Sequence, residues 1–221
     1  MPSHVPVNLL QHECRVETAV RDAHCCCMAQ SDTTSDALEL AGKMLIAMPG
    51  MSDPRFAKSV VLICMHDDTG AMGLIVNKPS EELEEEQLMA HIEIETHPGA
   101  PPRPVYFGGP VETNHGFVLH SVDSSNHASS LRVSAGIAMT STMDILVEIG
   151  AGGGPRDHLV ALGYSGWGPG QLEGEILQNG WLTVDADHAL VFDTPDAEKW
   201  AGALSRLGVD PLTLSAAAGH A

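Results

Sequence analysis

Aromatic side chains are scarce in this chain: four Phe, three Trp and two Tyr make up 4% of 221 residues. The core must therefore be built from Val, Leu, Ile, Ala and Met, with Trp167, Trp181 and Trp200 as isolated bulky anchors. Basic residues are scarce as well. Eleven Lys and Arg stand against 29 Asp and Glu, a formal charge of −18, and such a field repels a polyphosphate backbone wherever salt leaves it unscreened. Between Lys43 and Pro102 the only cations are Lys43, Arg55, Lys58 and Lys78, and no helix-turn-helix pattern or basic run occurs. Direct binding of nucleic acid is not expected. The longest uncharged apolar stretches reach about eight residues, against the roughly 20 that a membrane helix needs, so no membrane partner is expected either.

Cysteine usage is equally restrictive. Of five cysteines, Cys14, Cys25, Cys26 and Cys27 crowd the N-terminal region and Cys64 stands alone, an odd number with three adjacent that makes no disulfide framework. The N-terminus also lacks a basic segment followed by an apolar run and a cleavage site. A reducing, cytoplasmic setting fits both absences. His12, His24 and the early cysteines offer zinc-type ligands, yet adjacent cysteines converge poorly on one tetrahedral centre and no Cys-x-x-Cys knuckle is present. Twelve histidines include no His-x-x-x-His pair, and His115 and His120 fall on opposite faces of a strand. No metal is expected. There is no GKS or GKT phosphate loop and no dinucleotide fingerprint, so no cofactor is expected.

What the chain does contain is a succession of short apolar strands among helices. Residues 1–37 show no period and include the polar run QSDTTSD, which reads as a disordered leader, or as sequence ahead of a true start at Met28; residues 38–221 form the domain. Strands are expected over Met44–Met48, Ser59–His66 and Met72–Val76, the last two joined as a hairpin through Asp67-Asp68-Thr69-Gly70. Ser80 is expected to cap a helix through the acidic run EELEEE, Glu81–Glu86, which reads as a solvated helix face. Val105–Phe107, Gly116–His120, Leu131–Ser134 and Ile137–Thr140 read as strands, and Thr142 or Ser141 caps a helix through Ile149. His158–Leu162 leads into a glycine-rich elbow, Gly163–Gly170. Pro169 suits the first turn of the following helix, and Gly180 suits its left-handed stop. Strands at Trp181–Val184 and Ala189–Phe192 precede a last helix, Asp196–Leu207. Helices without regular βαβ alternation indicate an α+β fold: a single compact domain around a large mixed β-sheet with flanking helices.

Two constellations carry candidate chemistry. Cys64 and His66, two apart on a strand, would project from one face, where an imidazolium would lower the thiol pKa and give a thiol-dependent enzyme or redox sensor. The alternative is a ligand cleft where the strand ends at His66, Asn77-Lys78 and Gly108-Gly109 approach the elbow, with His120, Trp167, Gln171 and Glu173 as further contacts. Gln171 and Glu173 lie on nearly opposite sides of a helix, so at most one of them faces the cleft.

The blocks KMLIAMP (Lys43–Pro49), DPRFAKSVVLICMH (Asp53–His66), GAMGLIVNKP (Gly70–Pro79), FGGPVETNHGFVLH (Phe107–His120) and LGYSGWGPGQLEGEILQNGWL (Leu162–Leu182), with the ending Gly219-His220-Ala221, together resemble the AlgH/YqgE family of bacterial proteins. The resemblance spans residues 43–221, and Glu81–Arg103 is its least similar part. It implies a compact α+β fold, a bacterial cytoplasmic protein and a transcriptional-regulator label, and it brings no catalytic residues with it. With the charge balance, the reading is a noncatalytic protein that recognises a small ligand or a protein partner and affects regulation indirectly. A thiol enzyme and a direct transcriptional regulator are the alternatives, the latter disfavoured by net charge.

Overall fold

The computed structural model describes residues 39–122, 129–211 and 214. The expectations for residues 1–37 lie outside them. A curled, almost wholly antiparallel sheet runs in the order β10-β1-β2-β3-β9-β6-β8-β7, with β1 Lys43–Ala47, β2 Val60–Asp67, β3 Gly70–Ile75, β6 Val111–Ser121, β7 Leu131–Arg132, β8 Ile137–Thr140, β9 His158–Trp167 and β10 Trp181–Asp185. β4 (Pro79–Glu84) pairs with β5 (Pro104–Phe107), and β5 runs parallel to β9, the one parallel pairing among the described strands. The domain is α+β.

β2 explains why the sheet is covered on both sides. Val60, Leu62 and Cys64 face one apolar layer with Leu190, Ala203 and Leu204, whereas Val61 and Ile63 face another with Trp167, Leu172 and Trp181. Alternation on a fully buried strand yields two apolar faces, and each needs a cover. α4 (Asp196–Arg206) covers the first and α3 (Gln171–Leu177) the second, while α1 (Glu85–His91) and α2 (Met143–Gly150) pack over the β6 and β9 end around Leu88, Ile145 and Val160.

Several local expectations are corrected. The acidic run does not open a helix: Pro79–Glu84 is a strand, because Pro79 and Glu84 find partners in Tyr106 and Pro104. Ser80 Oγ accepts from Glu82 N and Leu83 N in a local turn. The helix begins at Glu85, where Glu84 N donates to Gln87 Oε1 at 3.1 Å. Much of the elbow is also strand, since β9 continues to Trp167. Its first half pairs with β6 and β5, then left-handed Gly163 (φ 72°) lets the second half pair with β3. Pro169 lies ahead of α3, whose N-cap is Gly170. The helix stops one residue earlier than expected, at left-handed Asn179 (φ 57°), with Gly180 N bonded to the Glu175 carbonyl at 2.8 Å and Asn179 N to that of Ile176 at 3.0 Å. Ala189–Asp193 is a π-helical turn rather than a strand, because a four-residue apolar run carries no period that separates the two.

Candidate functional site

Above the α3 face of the sheet lies a groove of about 610 Å³. The turn Met48–Phe56 forms one bank, with Met51 and Phe56 as its apolar contacts, and Trp167, Trp181 and the Gln171–Glu175 side of α3 form the other. The aromatic rings brace one another. Trp167 and Trp181 meet edge to face at 6.0 Å between centroids, and Phe56 meets Trp181 in the same way at 5.6 Å.

The polar groups of the groove are tightly organised. Glu175 Oε2 accepts both indole N–H groups, from Trp167 at 3.0 Å and Trp181 at 2.8 Å, while Oε1 accepts Gln171 Nε2 at 2.9 Å. Gln171 Oε1 in turn accepts Gly168 N, which ties the end of β9 to the helix. On the other bank Arg55 grips both oxygens of Asp53 at 2.7–3.1 Å and holds that carboxyl below the usual carboxylate range. Lys78 Nζ reaches the Arg55 carbonyl at 2.6 Å and steadies the same bank from below.

The residues singled out in the sequence are divided by the fold. Trp167 and Gln171 line the groove. His66 does not: its Nε2 lies 2.9 Å from Glu173 Oε1, which places Glu173 on a different side of α3 from Gln171 and Glu175. Asn77 is a clip, accepting Val60 N and donating to the Lys58 carbonyl, each at 2.9 Å. Gly108 and Gly109 mark a backbone crossing, where an added Cβ would fall 2.2 Å from the Gly163 carbonyl oxygen or 2.1 Å from the Tyr164 carbonyl carbon. His120 is buried between strands with Nε2 2.9 Å from Thr140 Oγ1, remote from the groove.

The Cys64–His66 pairing is a correction. β2 carries a bulge between Ile63 and Met65, so Cys64 has no register partner on β3 while His66 pairs with Ala71. That extra residue turns His66 to the Trp167 face and leaves Cys64 under α4. Cys64 is 3% exposed, and burial pushes its thiol up to about 12. A buried thiol with no imidazole beside it is inert.

Glu175, Trp181 and the Met48–Phe56 turn were missed. The i, i+4 spacing of Gln171 and Glu175 was the available signal, because it puts two side chains on the side of the helix that meets Trp167.

Comparison with known proteins places this arrangement in a family. The model of AlgH-like proteins matches residues 44–212. The chain belongs to the AlgH-like family. Its relatives include a UPF0301 protein of Ruegeria pomeroyi, 55% identical over 83% of this chain and all of the relative, and one of Burkholderia multivorans, 48% identical over 85% and 98%. The solution structure of AlgH from Pseudomonas aeruginosa is 43% identical, covers 88% of this chain and all of its own, and superposes with a TM-score of 0.65. A crystal structure from Corynebacterium diphtheriae at 22% identity and TM-score 0.63, covering 79% of this chain and 89% of its own, shares the fold. The AlgH-like match takes in both banks of the groove.

Proposed function

We propose that this AlgH-like chain is a noncatalytic binding protein, and that the Trp167–Trp181 groove takes a small ligand with an apolar ring or branched chain. The observation that carries this reading is the Glu175 carboxylate, engaged by two indoles and an amide. Groups so committed shape a pocket and are poor general bases, and Asp53 is committed to Arg55 in the same way. Met48 and Met51 supply adaptable apolar contact on the opposite bank. A cytoplasmic location agrees with the cysteine pattern, and the charge of −18 makes any part in gene regulation indirect.

The three indole N–H signals provide the test, because Trp200 packs on the α4 side of the sheet, does not line the groove and serves as an internal control. Nitrogen-15 NMR during titration with small indole-, phenyl- and cyclohexyl-bearing amides is expected to move Trp167 and Trp181 and leave Trp200 in place. Trp167→Ala should weaken the best of these about tenfold. If no fragment moves the two groove indoles, the reading fails.

A further inference from the structure

The two banks of the groove differ in what they leave free. On the α3 bank Glu175 holds Trp167, Trp181 and Gln171 with its two oxygens, and Gln171 Oε1 is taken by Gly168 N. On the other bank Arg55 is engaged along one edge only. Its Nε and Nη2 reach Asp53 at 2.7–3.1 Å, and its side chain, 58% exposed, lines the groove. A guanidinium has five N–H donors, and Asp53 occupies the Nε–H and one on Nη2. Both donors on Nη1 and the outer one on Nη2 have no acceptor among the described residues. Nη1–H and Nη2–H run parallel at the tip of the side chain, so Arg55 presents a second, open and accessible fork.

Charge on this bank runs against that of the whole chain. The formal total is −18, yet Asp53 is the only carboxylate from Met48 to Phe56 and Arg55 already balances it. Lys78 then adds a cation that has no ion pair of its own among the described residues: its Nζ donates to the Arg55 carbonyl at 2.6 Å, and its charge acts on Asp53 as well. The bank is left with one positive charge in surplus beside an open donor fork. Glu175 stands on the opposite bank with its charge spread over three N–H donors, so an anion is favoured at the Arg55 side and there alone.

A planar carboxylate fits the tip of a guanidinium in the bidentate way that Asp53 fits its side. A single surplus cation balances one negative charge, which favours a monoanion over a phosphate dianion. The rest of the lining is apolar: the two indoles on one bank, and Met48, Met51 and Phe56 on the other. Given that the groove binds a small apolar ligand, as proposed above, we infer that this ligand is a monocarboxylic acid with an aromatic or branched-chain body. Its carboxylate sits on the Nη1–Nη2 fork of Arg55 and its body against Trp167 and Trp181.

Acid and amide pairs of one carbon skeleton provide the test: phenylacetate with phenylacetamide, indole-3-acetate with its amide, and isovalerate with isovaleramide. Each is titrated into the full chain at about pH 7, where these acids are ionised, and read from the Trp167 and Trp181 indole N–H signals. At least one acid is expected to bind about tenfold or more tighter than its amide, with the gap narrowing as salt is raised. Arg55→Gln, and Arg55→Lys, which keeps the charge and loses the fork, should each bring the acid toward the affinity of its amide. Asp53→Asn keeps an acceptor for Arg55 N and removes the rival carboxylate, so it should tighten the acid about threefold. Trp167→Ala should weaken acid and amide alike, because the ring contact is common to both. If amides move the two indoles and no acid binds tighter than its amide, the carboxylate is overturned while the binding reading stands. If neither acids nor amides move them up to about 10 mM, both fall. The carboxylate is equally overturned if both folded Arg55 variants keep the full gap, or if folded Asp53→Asn fails to tighten the acid.

Discussion

Cys64 sits where β2 has one residue more than the strand beside it, and that single insertion separates it from His66. The sequence supplies a thiol and an imidazole two apart; the bulge sends them to opposite faces, and burial then raises the thiol to about 12 from 9.0. Tyr106 is raised as well, first by burial and then by the neighbouring Asp196. Both groups are neutral when protonated and both have folded values above their ordinary ones. Their contribution to stability is therefore whole below about pH 9 and is lost as the pH rises toward about 12. The urea midpoint should accordingly hold through about pH 8 and fall from about pH 9 upward. At pH 8 iodoacetamide should modify Cys64 slowly in the native protein and rapidly in urea, as read by peptide mass spectrometry. Rapid native modification of Cys64 would contradict the burial argument.

At the scale of elements, the crossing of Gly108-Gly109 over Gly163–Ser165 fixes where β9 changes partner. An added Cβ at Gly109 meets the Tyr164 and Ser165 backbone at 2.1–2.4 Å, and backbone atoms cannot swing aside as a side-chain end can. Gly109→Ala should cost about 3 kcal/mol in urea unfolding. Gly174, inside α3, has open space where its Cβ would go, so Gly174→Ala should instead stabilise by about 0.5–1 kcal/mol. Equal effects at the two sites would refute the crossing. The same scale shows what was legible. β1, β2, β3 and α4 could be read because each has a sustained apolar period, and α4 also has Pro195 before it and Gly208 after it. The acidic run was misread because charge near a helix start is a local preference, whereas the pairing of β4 with β5 is a contact across about 20 residues that no local window contains.

For the whole molecule the governing quantity is charge. With a formal −18, self-repulsion opposes the compact state and should ease as salt screens it. The melting temperature should rise between about 0.01 M and 0.5 M NaCl as the screening length falls from about 30 Å to a few ångström. Duplex DNA should not shift on a gel even at the low end of that range; a complex that dissolves steeply with salt would reopen direct regulation. Composition, charge and hydrophobic period are sums over residues or neighbours along the chain, and they were enough to determine the α+β class. Trp167 and Gln171 could be placed near one another in advance because only three residues separate the end of β9 from the start of α3. Their meeting with Trp181 around Glu175 and the separation of Cys64 from His66 were decided by tertiary structure alone. Each depends on strand register and on which helix covers which face, and both are settled by packing between segments far apart in the chain.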